Sequence, residues 1–141
     1  MKRNAYSEIN FHINWHTKQN RRILDGVIEE RLHRFLAERV ISTPNTVLQA
    51  IGGTSDHVHL AVAVPPTLLV SDWIGKLKGA SSFYMNQQLA HRQFLQWQEG
   101  YGIVSFGSGE LKRVVEYVCN QREHHARGSL VDQFERTWRE C

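Results

Sequence analysis

Amphipathic segments follow one another as strand, helix, strand, strand, helix, strand, helix, the order of an α+β ferredoxin-like sandwich in which helices pack on an antiparallel sheet. Two alternations carry the strands. From Glu8 to Thr17, apolar Ile9, Phe11, Ile13 and Trp15 alternate with polar Asn10, His12, Asn14 and His16. From His57 to Val64, the valine and leucine positions 58, 60, 62 and 64 alternate with His57, His59, Ala61 and Ala63. The helices are carried by apolar residues that recur at helical spacing after Leu24, Trp73 and Leu111.

The first strand offers one face to a core and another of amide and imidazole groups. That polar face either lines a site or meets solvent, and for His12 and His16 singly the solvent-facing reading is the simpler. Lys18 to Arg22 is a basic loop. Leu24, Val27, Ile28, Leu32, Phe35, Leu36 and Val40 form a helix, with Asp25 as N-cap and Glu29 and Glu30 near the positive end of its dipole. Pro44-Asn45 breaks the pattern, Thr46 to Gly52 is the next strand, and Gly53-Thr54-Ser55-Asp56 turns the chain into the His57 strand as a hairpin.

Pro65-Pro66 ends the His57 strand, and Ser71 is placed to cap the second helix. Its stripe is Trp73, Leu77, Ala80 and Tyr84, with Ile74 and Met85 beside it. Gly79 inside this helix costs ~1 kcal/mol against Ala, which points to close approach by a neighbouring helix or a phosphate backbone. Residues 91–107, with Phe94, Trp97, Gly100-Tyr101-Gly102, Val104 and Phe106, read as one or two strands. A helix opening at Ser108 buries Leu111, Val114, Val115 and Val118, and Leu130, Phe134 and Trp138 suggest a short closing helix.

The 141 residues suit one domain spanning 1–141, with ordinary hydrophobic (41%) and charged (22%) content. No apolar run reaches membrane-spanning length, and the basic start lacks an apolar signal core, so a cytoplasmic protein with no membrane partner is expected. Cys119 and Cys141 signal neither a disulfide framework nor a zinc knuckle. A net charge of +3 and a pI of about 9.1 are compatible with nucleic acid. The charge is uneven: Lys2, Arg3, Lys18, Arg21 and Arg22 face only Glu8 in the first 22 residues, and Lys76 and Lys78 form a second small basic site. A solvated basic surface accounts for either cluster equally well.

On the His57 strand two imidazoles share a face ~6–7 Å apart at Cβ, close enough to grip one metal ion, although the pair also suits a plain polar sheet face. On the Ser108 helix, Tyr117 falls ~120° from the buried stripe, with Gln121 and His124 near it at i+4 and i+7. In the expected fold the His57 strand is central, and a helix across the sheet brings Tyr117 and Gln121 over His57 and His59. Two imidazoles and an amide oxygen are three neutral ligands for a divalent ion such as Mg²⁺ or Mn²⁺, with positions left for phosphate and water. A phenol of pKa ~10 is a poor nucleophile unless its electrophile is activated or its proton removed. The chemistry that fits is attack of a tyrosine on a phosphodiester, giving a phosphotyrosine from which a strand is rejoined without ATP.

Five segments in this order resemble the single-tyrosine HUH transposases, of the insertion-sequence 200/605 type and the relatives that act on repetitive extragenic palindromes. They are Trp15-His16-Thr17-Lys18, Asp56-His57-Val58-His59-Leu60, residues 77–82 (Leu77 to Ser82), Trp97 to Gly102, and Tyr117 to His125. The resemblance implies a ferredoxin-like fold, dependence on Mg²⁺ or Mn²⁺, and single-stranded DNA with a hairpin as substrate. It assigns His57, His59 and Gln121 as metal ligands and Tyr117 as the nucleophile that joins a 5′-phosphate and frees a 3′-hydroxyl. In the resembling family, minimal members are dimers that can build each active site from both chains and palindrome-associated members can work as monomers, so a homodimer stays open. His124 is a ligand, a proton shuttle, a DNA contact or a helix C-terminal cation. Lys18, Arg21, Arg22, Lys76 and Lys78 are the candidate phosphate contacts.

Two other functions fit the same elements. A domesticated, non-catalytic nucleic-acid-binding module would share the fold, although RNA-recognition sheets display aromatics where this one displays histidines. A metal-dependent phosphodiesterase using water would keep its activity without Tyr117.

Overall fold

The structure, a computed structural model, describes residues 5–89 and 93–137, so Lys2, Arg3, Trp138 and Cys141 lie outside the described residues. The elements are β1 (Asn10–His16), α1 (Gly26–Ile41), β2 (Val47–Thr54), β3 (His57–Ala63), α2 (Val70–Gln88), β4 (Gly102–Phe106), α3 (Leu111–Cys119), α4 (Gln121–Arg127) and α5 (Asp132–Glu135). The sheet runs β2-β3-β1-β4 with every pair antiparallel, the ferredoxin-like α+β arrangement expected from the sequence. The His57 strand, β3, is interior, hydrogen-bonded to β1 on one side and β2 on the other.

On one face of the sheet the two central strands are apolar. Ile13 and Trp15 of β1 and Val58, Leu60 and Val62 of β3 pack against Leu32, Leu36 and Val40 of α1 and Trp73, Ile74, Leu77 and Met85 of α2. Burying each such side chain is worth ~1.5–3 kcal/mol, so this face supplies most of the driving force for folding.

The opposite face is also covered. Val114, Tyr117 and Val118 of α3 and Phe134 of α5 meet Ala50 of β2 and Ala61 of β3. Small residues let the backbones approach: a Cβ on Gly52 would stand 1.9 Å from the Val118 carbonyl oxygen, and one on Gly102 would stand 1.7 Å from that of Arg136. Space above the alanines is thus filled by helix and ring, and the polar face of β1 is buried: His12 is 0% and Asn14 1% exposed.

Several local expectations are corrected. The helix from Ser108 is a 3-10 turn followed by α3 and α4, separated at Asn120, whose φ of −115° and ψ of 36° leave the helical region. Helix α2 begins at Val70 with Leu69 in the N-cap position, so Ser71 is not its cap. Asp25 stands at the N-cap of α1 without a cap bond; its carboxylate lies 3.1 Å from Arg122 instead. Residues 93–107 hold one strand, β4, plus a single bridge between Thr17 and Trp97. Gly79 faces open space, with nothing within 4 Å of a Cβ placed there, so no neighbouring helix explains it. The closing helix shrinks to the four residues of α5. No helix among the described residues is long and apolar enough to cross a membrane.

Candidate active site

Strand register decides which side chains meet. His16 pairs with His57, Asn14 with His59 and His12 with Ala61, so the imidazoles of β1 and β3 share the face under α3 and α5. His57 and His59 are buried, at 1% and 0% exposure. Each has a partner on Nδ1. That of His57 lies 2.6 Å from Asp56 Oδ1 and 2.9 Å from Thr54 Oγ1. That of His59 lies 2.7 Å from His12 Nε2.

Their Nε2 atoms are buried without a hydrogen bond, as is Nε2 of His125. All three face one carboxylate oxygen. Glu135 Oε1 lies 3.6 Å from His57 Nε2, 3.5 Å from His59 Nε2 and 3.3 Å from His125 Nε2. Such distances are long for hydrogen bonds. They suit ligands of one ion, whose donor atoms stand about 3.0–3.5 Å apart when each bond is near 2.1 Å. The four donor atoms lie within 4.8 Å of one another. Imidazole nitrogens without a hydrogen-bond partner around a carboxylate oxygen fit a divalent cation.

The other oxygen of Glu135 accepts the Tyr117 hydroxyl, which in turn accepts the Val131 N–H at 3.0 Å. Tyr117 is therefore a packed residue rather than one at the rim, 3% exposed and 6.0 Å from the His59 ring centre. Gln121 heads α4. Its Nε2 donates to the Tyr117 carbonyl at 2.8 Å and its Oε1 is buried with no partner, an amide oxygen available to a cation. The chain next to Glu135 is tied to the sheet: Asn14 Nδ2 donates to the Arg136 carbonyl at 3.1 Å, over the bare Cα of Gly102.

The electrostatics follow from burial. Desolvation lowers His12 to about 3 and His59 to about 4, so both are neutral at pH 7, the form in which imidazole binds metal. The hydrogen bond from His57 draws Asp56 down to about 2. Burial pushes Glu135 up, but the nearness of the His59 ring, the hydrogen bond from the Tyr117 hydroxyl and the nearby His57 ring outweigh it and hold the carboxyl at about 2. Burial, then the neighbouring Glu135, raises the Tyr117 phenol well above its usual value.

The structure gathers His57, His59 and Tyr117 around Glu135 and sets Gln121 against Tyr117. It turns His124 elsewhere: the ring lies 4.7 Å from that of Tyr117, but its Nδ1 is 2.9 Å from Ser129 Oγ and its Nε2 3.2 Å from Glu116. Lys18 and Lys78 line a cavity of about 560 Å³ with Gly79 and Trp97. Lys78 Nζ, however, donates to the carbonyls of Gln98 and Gly100, both at 2.8 Å. Lys76 and Arg21 are exposed. Lys76 and Lys78, two residues apart on a helix, point different ways and form no joint site. Arg22 lines a cavity of about 420 Å³ with Asp56, His57 and His125.

Four residues of the cluster, His12, Asp56, His125 and Glu135, have no role in the sequence reading. His125 had a signal, since it follows Gln121 by four. His12 had the alternation that puts it on the His16 face. Glu135 had none, because it stands 18 residues from Tyr117, beyond the turn at Gly128.

Residues 5–121 match the family model described as transposase IS200 like. Among curated proteins, the chain is 29% identical over 82 residues to the transposase for insertion sequence element IS200 of Salmonella typhimurium, covering 55% of this chain and 53% of that protein. The chain thus spans about half the length of the Salmonella relatives it matches. It is 23% identical over 121 residues to the ISDra2 transposase TnpA of Deinococcus radiodurans, covering 82% of this chain and 86% of that protein. Among solved structures, a transposase crystal structure from Deinococcus radiodurans R1 superposes with a TM-score of 0.67 at 22% identity, over 86% of this chain and 96% of that one. The REP-associated tyrosine transposase bound to a REP hairpin superposes with a TM-score of 0.60 at 13% identity, over 89% of this chain and 73% of that one. Those two likenesses establish the fold, and the family model, which takes in β1 through α3, establishes the lineage: the chain belongs to the IS200-like transposases.

Proposed function

We propose that this protein is a metal-dependent tyrosine strand transferase that cuts and rejoins single-stranded DNA at hairpin-containing ends. One observation carries the reading. Glu135 takes the Tyr117 hydroxyl on one carboxylate oxygen, while the other lies 3.5 Å from His59 Nε2 and 3.6 Å from His57 Nε2. Tyr117 and the His57 and His59 nitrogens are neighbours within one chain, which supports a site assembled in cis.

In this reading His57, His59 and Gln121 hold Mg²⁺ or Mn²⁺, with His125 and Glu135 within reach as further donors. An ion bound there supplies Lewis-acid polarisation of a phosphoryl oxygen. Asp56 orients the His57 ring through Nδ1, which leaves Nε2 as the donor. Tyr117, held protonated by its surroundings, keeps its proton until attack and so depends on that polarisation. Its oxygen bonds to phosphorus, the bond to the 3′-oxygen breaks, and the proton the phenol gives up is balanced by the one the 3′-oxygen takes up to leave as a hydroxyl. Attack by another 3′-hydroxyl reverses the step and rejoins a strand. Hairpin DNA as the substrate class is carried over from the similar REP-associated tyrosine transposase, which was solved bound to a REP hairpin.

The test is a denaturing gel of protein incubated with labelled single-stranded hairpin oligonucleotides and Mn²⁺ or Mg²⁺. A covalent adduct is expected that disappears with EDTA and in Tyr117→Phe, a loss of about 10⁴-fold or more in cleavage. Cleavage without an adduct would instead mark a water-using phosphodiesterase. Binding without cleavage would mark a domesticated binding module.

A further inference from the structure

We infer that His12 is a positioning residue: it fixes the tautomer of His59, and through it the nitrogen offered to the metal. The inference rests on the metal-centre reading above. His12 Nε2 and His59 Nδ1 lie 2.7 Å apart, both rings are fully buried, and their centres are 4.9 Å apart. No other hydrogen bond to His59 Nδ1 is present among the described residues. At that distance a single proton sits between the two nitrogens. On His59 Nδ1 it leaves Nε2 as a bare lone pair directed at the Glu135 carboxylate, where a cation would sit. On His12 Nε2 it forces the His59 proton onto Nε2, which closes that donor.

His57 is oriented in the corresponding way by Asp56, 2.6 Å from its Nδ1. The two donors thus have unlike supports, a carboxylate for one and a neutral imidazole for the other. The imidazole carries a penalty: with His12 accepting through Nε2, its own proton lies on Nδ1, which is buried and has no partner. The ring packs 4.4 Å from that of Phe134 and 6.5 Å from that of Tyr117. An apolar side chain would fill this space without an orphaned N–H. What it could not do is accept from His59.

The test compares wild type, His12→Leu and His12→Gln, each first shown to unfold cooperatively. Glutamine keeps an acceptor oxygen at about the reach of Nε2; leucine keeps bulk alone. Long-range proton–nitrogen spectra of the metal-free proteins should give His59 as the Nδ1–H tautomer in wild type and His12→Gln and as Nε2–H in His12→Leu. Calorimetry should give Mn²⁺ binding about 10–100-fold weaker in His12→Leu and little changed in His12→Gln. An unaltered His59 tautomer in His12→Leu, or equal Mn²⁺ affinity in all three, overturns the assignment. If wild type binds no Mn²⁺ yet the tautomer switches in His12→Leu, the role of His12 stands and the metal centre falls.

Discussion

The two faces of the sheet solve different problems with the same four strands. On the face under α1 and α2, β1 and β3 present Ile13, Trp15, Val58, Leu60 and Val62, all 0% exposed and apolar but for the Trp15 indole nitrogen. On the face under α3 and α5, the same strands present Asn10, His12, Asn14, His57 and His59, equally buried and all polar. Among the described residues, buried side-chain atoms without a hydrogen-bond partner concentrate on this side: His12 Nδ1, Asn14 Oδ1, Gln49 Oε1 (whose amide nitrogen bonds Asn10), His57 Nε2, His59 Nε2, Gln121 Oε1 and His125 Nε2, against Trp15 Nε1 and His33 Nε2 on the other. Unpaired buried polar groups cost stability. The apolar face can bear that cost, and the polar face uses it to keep nitrogen lone pairs bare.

The largest test of this division is pH. A histidine whose folded pKa is lowered stabilises the fold fully above its unfolded value of about 6.5 and loses that contribution as pH falls toward the folded value. His12, at about 3, and His59, at about 4, act in this way from the polar face, and His33, at about 4, does so from α1. Each should lower stability by about 2 kcal/mol between pH 7.5 and pH 5. Asp56 and Glu135, held at about 2, stay charged throughout that window and contribute no slope. Urea titrations in EDTA should therefore lose about 6 kcal/mol over the interval from these three, and His16 and His125, also lowered by burial, add to the polar face's share. His33→Gln should keep most of the loss and His12→Leu should remove about a third. A loss that vanished in His33→Gln would place the strain on α1 and break the comparison.

Next in size is a pair of adjacent residues on β3. Leu60 points to the apolar face and Ala61 to the polar one. Leu60→Ala should cost about 2–5 kcal/mol and leave Mn²⁺ affinity within about twofold of wild type. Ala61→Leu should cost less, about 1–3 kcal/mol, yet displace Tyr117 and Phe134 and weaken Mn²⁺ binding at the proposed site. Equal effects on Mn²⁺ binding would mean that the faces are mechanically coupled and cannot be treated apart.

The sequence carried the apolar face almost completely, because period-2 and period-3.6 patterns record which side of an element is oily. The alternation in 9–16 and 57–64 and the stripes at 32–40 and 73–85 need no tertiary information. The polar face was legible only in part. His57 and His59 announced themselves as a pair, but polar alternation looks the same whether it meets water or a lid, and nothing local says that Phe134 closes over His12. The break at Asn120 changes the phase between Tyr117 and the residues after Gln121, so continuous-helix geometry favoured His124 where the fold turns His125 inward. Glu135 reaches the site by tertiary routing alone, through a turn, a four-residue helix and the Asn14–Arg136 contact.

The smallest expected effects lie on α2, the helix furthest from the polar face in function. Lys76 is exposed and free of any hydrogen bond or ion pair among the described residues, whereas Lys78 bridges the carbonyls of Gln98 and Gly100 and has its pKa lowered by burial. If DNA is read from the polar face, Lys76→Ala should change the slope of log affinity against log salt by less than the ~0.7 that one full single-strand phosphate contact contributes. Lys78→Ala should leave the slope alone and loosen the loop before β4 by about 1 kcal/mol, visible as faster hydrogen exchange at residues 98–101. Salt-dependent binding measurements on both variants decide the matter. A full-contact change in slope for Lys76→Ala would extend the DNA surface around to α2. A change of the same size for Lys78→Ala would mean that its ammonium leaves the two carbonyls for phosphate, so that the outer surface of the apolar half takes part in recognition and the division between the faces holds for the core alone.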